Sequence, residues 1–251
     1  MKKSLLLVFL LLGAVLAQVP HKRDTIIVKR FEASRSCAHF SSYVSVDYPV
    51  SGPATTVFPL RNWLDSTLEC GGKIGKGDNP AKNCIVCNDV TVNQFKSEYP
   101  ELTDDDLGVG FDSTMIFLES QTEHTQTYLV EHVILNNGAA HESYTSPRYV
   151  LVKGRVLGFS DIFNADSNTV VARVRELAKT EPSNQGECRA HWGEIKEIHW
   201  VYPARDGLAF VWATYAVNCG VCGNVTLKLP YRRFKGLLRP QFEKILKEIQ
   251  E

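Results

Sequence analysis

The 251-residue chain lacks a net charge: 28 basic residues balance 28 acidic ones. A nucleic-acid binder needs a clustered basic face, and no such excess is present, so nucleic acid is not an expected partner. Catalytic signatures are missing as well. There is no G-x-S-x-G elbow, no H-E-x-x-H helix, and no Ser or Thr after Gly75-Lys76 to complete a phosphate loop. Past the first 17 residues no apolar run approaches the roughly 20 residues that a membrane-spanning helix requires. Internal repeats and low-complexity tracts are also absent.

What the chain does have begins at its start. Lys2 and Lys3 precede the apolar run Leu5 to Leu12, and Val15 and Ala17 stand where a signal peptidase reads small residues. Residues 1–17 are therefore expected to be a secretory signal peptide, and no cysteine follows to carry a lipid anchor. The mature chain should begin near Gln18, outside the cytoplasm, in the periplasm or beyond the cell, with no membrane span after cleavage.

Seven cysteines follow: Cys37, Cys70, Cys84, Cys87, Cys188, Cys219 and Cys222. In an oxidising compartment they read first as disulfide candidates, with the odd count leaving one over and the pairing open. The pairs Cys84-x-x-Cys87 and Cys219-x-x-Cys222, with His39 and His191 near Cys37 and Cys188, also have the ligand types of a zinc site. That alternative makes the chain a metal-dependent or peptidoglycan-modifying enzyme. The long gap between the two pairs differs from compact zinc ribbons, so no metal and no cofactor is assigned.

Alternation and helical spacing divide the rest. Val44, Val46, Tyr48 and Val50 alternate as one face of a strand, and Tyr128, Val130, His132 and Ile134 do the same. Further strands are expected at Thr25–Val28, Thr114–Glu119, Arg148–Val152, Val156–Phe159, Ile198–Tyr202, Leu208–Val217 and Val225–Leu229, with a turn at Lys153-Gly154-Arg155. Helices are expected over Pro59–Glu69, over Val92–Glu98, after an Asp166 or Ser167 cap with the stripe Val170, Val171, Val174, Leu177 and Ala178, and at the end through Phe242, Ile245, Leu246 and Ile249. Grouped rather than alternating elements predict an α+β fold of antiparallel sheets with packed helices. Two intimately associated halves are expected, residues 18–110 and 111–251.

Two features carry binding chemistry. Glu98, Glu101, Asp104, Asp105 and Asp106 place five acids within nine residues, a charge able to steer a basic partner. His141, after Gly138-Ala139-Ala140, is an imidazole that small neighbours leave approachable.

Three landmarks tie these segments to known proteins: GAAH at Gly138–His141, the phrase LGFSDIF ending at Phe163, and Asp206-Gly207-Leu208 with LPYRRFKGLLRP ending at Pro240. Their order resembles the family containing the extracellular part of the anti-sigma factor RsiV and the N-terminal module of the peptidoglycan deacetylase PdaC. VDYPV, before a helix, is similar to the companion half. Ala139 replaces the middle glycine of the family's Gly-Gly-Ala-His, and the C-x-x-C pairs lie outside its pattern. The resemblance implies a non-catalytic exported module that recognises an envelope protein or glycan, lysozyme or peptidoglycan, with His141 and Asp104, Asp105 and Asp106 as candidate contacts. It also places Cys219 and Cys222 in a small-residue connection after Tyr215, between the last two strands.

Overall fold

The computed structural model describes residues 25–36, 40–68, 79–84, 97, 100–101, 110–122, 125–135, 143–145, 147–180, 191–192, 195–213, 216–217 and 224–250. Strands β1 (Ile27–Ser36), β2 (Phe40–Ser51), β3 (Gly110–Gln121), β4 (Thr125–Leu135), β5 (Ser143–Thr145), β6 (Arg148–Val152) and β7 (Arg155–Val156) form one sheet in the order β1-β2-β3-β4-β6-β7, with β5 also on β4. Strands β8 (Trp200–Ala204), β9 (Gly207–Trp212) and β10 (Val225–Leu229) form a second sheet with β9 central. Among the described residues, four α-helices are delimited: α1 (Ala54–Thr67), α2 (Phe159–Ile162), α3 (Ser167–Ala178) and α4 (Pro240–Gln250). The architecture is α+β, as the grouping of elements predicts.

Each sheet has its own core. Val44, Val46, Tyr48, Ile116, Tyr128 and Leu151 on the large sheet bury against Val57, Leu60 and Leu64 of α1. The other core joins all of β9 from Leu208 to Trp212 with the α3 stripe, Phe163, Phe234 and Phe242. Strand β6 serves both, because successive residues of a strand point to opposite faces: Val150 belongs to the second core and Leu151 to the first.

Several expectations hold in detail. All five residues of the α3 stripe are buried, and Asp166 caps the helix by accepting from Thr169 N–H at 3.0 Å, which satisfies one of the donors the first turn leaves open. Lys153 (φ 50) and Gly154 (φ 74) make the left-handed two-residue turn that a tight hairpin prefers. In α4, Phe242 and Leu246 are buried and Ile245 and Ile249 pack beside them.

Other expectations are corrected. Helix α1 starts at Ala54, with Thr56 N–H and Val57 N–H donating to the Pro53 carbonyl, so Pro59 lies inside the helix rather than opening it. Strands β2 and β3 pair in parallel, because the long connection carrying α1 works as a crossover. The hairpin's second strand ends at Val156, and Phe159 already begins α2. Strand β9 ends at Trp212, short of Val217. The segment Val92–Glu98 lies outside the described residues apart from Ser97.

One buried charge fixes the edge of the large sheet. Asp47 on β2 accepts both N–H groups of the Arg30 fork at 2.9 Å and the backbone N–H of Leu118 at 3.0 Å. A buried carboxylate is tolerated when its lone pairs are filled in this way, and here it links β1, β2 and β3.

Candidate ligand groove

The landmark phrases LGFSDIF and KGLLRP are neighbours in space. Phe163 and Leu238 form an antiparallel bridge. Asn164 N–H donates to the Leu237 carbonyl and Arg239 N–H to the Ile162 carbonyl, both at 2.9 Å, while Arg239 Nε–H donates to the Phe163 carbonyl at 3.0 Å. Gly236, at φ 84, turns the chain between Phe234 and this bridge, a conformation that glycine adopts without steric cost. Beneath the bridge the rings of Phe163, Phe210 and Phe234 pack at centroid distances of 5.3–6.4 Å. The two phrases thus form one rigid corner on a fully buried aromatic cluster.

A groove of about 730 Å³ opens beside that corner, between the β6–β7 hairpin, α2 and the start of α4. Its floor is apolar: Val152, Val156, Leu157, Phe242 and Ile245. Its rim carries Arg155, Ser160, Asp161, Arg239 and Gln241, all exposed. The volume suits a small ligand or a short segment of a larger one, and an apolar floor with a few polar groups is the usual composition of such sites. Asp161 Oδ2 accepts from Gly158 N–H at 2.8 Å, which ties that carboxylate to the backbone at the start of α2.

A smaller cleft of about 160 Å³ lies where β6 meets β8. Arg148 closes one end with a bidentate pair to Glu119 at 2.7 and 2.8 Å. His199 is held on both sides: Ala213 N–H donates to Nδ1 at 3.0 Å, so Nε2 carries the proton and donates to Glu197 at 3.1 Å. Burial pushes the Tyr149 hydroxyl above its ordinary pKa, partly offset by a hydrogen bond with Trp200. These groups are satisfied by the fold and serve as the seam between the sheets.

Of the residues singled out from sequence, His141, Asp104, Asp105 and Asp106 lie outside the described residues. So do Cys37, Cys70, Cys87, Cys188, Cys219 and Cys222; Cys84 ends the 3₁₀ turn Pro80–Cys84, and its side chain is outside as well. Among the described residues no three His, Cys, Asp or Glu side chains gather to hold a metal, and no helix is long and apolar enough to cross a membrane. The rim residues Arg155, Ser160, Asp161, Arg239 and Gln241 were not singled out from sequence. The signal available for them was the pair of landmark phrases, which contain three of the five.

No family model and no curated protein matches the chain. Solved structures do. A DUF3298 family member from Bacteroides fragilis superposes with a TM-score of 0.67 at 16% identity, over 90% of this chain and 98% of that one. The chain shares the fold of that DUF3298 protein. A DUF3298 family protein from Pseudomonas aeruginosa matches with a TM-score of 0.51 at 12% identity, over 87% of this chain and 97% of its own. At such identities the DUF3298 likeness concerns the fold alone, while ligand chemistry has to be argued from the side chains of this chain.

Proposed function

We propose that the protein is an exported, non-catalytic binding module of the bacterial cell envelope, with lysozyme or peptidoglycan as its ligand. The observation that carries this reading is the groove beside the Phe163–Leu238 bridge: an apolar floor with polar and charged groups on its rim, built on a rigid corner rather than on a mobile loop. A recognition site works best when its supporting elements are already in place, because little ordering entropy is then lost on binding. The landmark phrases that form the groove are also the ones that resemble the modules of RsiV and PdaC, and the leader-like first 17 residues agree with export.

Two ligands are tested side by side. Purified protein comprising residues 18–251 is passed over immobilised C-type lysozyme and mixed with insoluble peptidoglycan. Retention by one of them at micromolar protein is the expected result. Failure of both would remove the named ligands.

A further inference from the structure

Resting on that reading of the groove, we infer that it takes the C-terminal end of a peptide, with an aliphatic side chain on the floor and the terminal carboxylate at the Arg155 and Arg239 guanidinium groups. The argument is one of complementarity. Arg155 and Arg239 are exposed on the rim, and neither is in an ion pair among the described residues. The carboxylate that shares their rim, Asp161, is tied to the Gly158 N–H at 2.8 Å. Arg239 uses Nε–H on the Phe163 carbonyl, which aims the guanidinium plane and leaves its terminal N–H groups for a ligand. A planar guanidinium matches a carboxylate in two parallel hydrogen bonds, so a fixed one is preorganised for this group.

The floor decides what accompanies the charge. Val152, Val156, Leu157 and Ile245 are aliphatic, and Phe242 is fully buried with no ring face to offer. Stacking a sugar ring on an aromatic platform is therefore not available in the groove, whereas burying an aliphatic side chain is. A cationic protein surface such as that of lysozyme would meet the two guanidinium groups against the single Asp161 carboxylate there, an unfavourable juxtaposition. Of the two proposed ligands, peptidoglycan with its peptide stems is the one whose chemistry suits the groove.

The test uses the protein as residues 18–251 and a fluorescein-labelled pentapeptide ending in Val-Leu, prepared with a free C-terminal carboxylate and, separately, with a C-terminal amide. Fluorescence anisotropy should give about ten-fold tighter binding of the free acid, as expected for a charge-assisted bidentate contact. Arg155→Gln, at an exposed hairpin position, should bring acid and amide closer together, and Arg239→Lys should do so while preserving a positive charge. Equal binding of acid and amide, an unchanged ratio in both variants, or no binding of either peptide at millimolar protein would overturn the inference. If lysozyme or peptidoglycan still retains the protein after such a result, the binding module stands and its site lies elsewhere.

Discussion

Arg239 Nε–H donates to the carbonyl oxygen of Phe163 at 3.0 Å, across 76 residues of sequence. Together with the Arg239 N–H to Ile162 bond it ties the entrance of α4 to the exit of α2. Arg239→Ala removes a charged donor from a partly buried carbonyl and should cost about 2 kcal/mol. Urea denaturation of the variant against the parent measures this, with Arg239→Gln expected to fall between them. A midpoint unchanged in the alanine variant would show that the corner holds without the side chain.

Three glycines should separate backbone strain from close approach. A Cβ on Gly154 would lie 2.3 Å from the Thr56 carbonyl oxygen and 2.8 Å from Leu60 N, at φ 74, so the hairpin would have to leave α1. A Cβ on Gly207 would sit 2.3 Å from the Leu229 carbonyl oxygen. Gly236 has φ 84 with nothing within 4 Å. Alanine at 154 and at 207 should each cost at least about 3 kcal/mol, whereas alanine at 236 should cost about 1 kcal/mol from the backbone alone. Thermal melts of the three variants give the order directly.

Two tyrosines, Tyr128 buried and Tyr231 half-buried, should respond in opposite ways to loss of the hydroxyl. Tyr231 donates to the Ala204 carbonyl, pinning the 3₁₀ turn after β10 to the end of β8. The Tyr128 hydroxyl is fully buried and has no hydrogen-bond partner among the described residues. Tyr231→Phe should destabilise by about 1 kcal/mol, and Tyr128→Phe should be neutral or stabilising, because it removes a desolvated group that the fold does not satisfy. Chemical denaturation of both variants checks the sign.

Stability should also carry a trace of Asp65. Burial raises its pKa above the ordinary 3.8, outweighing the hydrogen bond from Tyr48 at 3.1 Å and the nearby Arg61 charge, both of which lower it. A carboxyl whose folded pKa is raised favours the native state below the unfolded value, and that contribution is lost as pH rises through the folded value. Asp65→Asn should therefore match the parent at low pH and become relatively more stable from about pH 4 upward. Parallel stability curves across that range would mean that Asp65 titrates alike in both states.

Much of the fold is legible in the residues. The α3 stripe and its Asp166 cap follow from helical spacing and an orphan N–H, and Lys153-Gly154 announces its own turn. Pro59 misleads because local preference places proline in a first turn, while the packing of α1 on the sheet keeps it inside the helix. The parallel pairing of β2 with β3 leaves no local mark, since it depends on how the intervening segment crosses the sheet. The groove was the least legible part: Arg155 and Arg239 are each ordinary surface arginines until the Phe163–Leu238 bridge brings their segments together.

The central claim, that ligand is bound in this groove, is tested most directly by mapping chemical shifts. Isotope-labelled residues 18–251 are titrated with soluble peptidoglycan fragments that retain their peptide stems. The account predicts shifts concentrated in Arg155–Asp161 and Arg239–Ile245, with smaller effects at the Phe163–Leu238 bridge. Unchanged shifts in those two segments, whether perturbations fall elsewhere or nowhere, would contradict it.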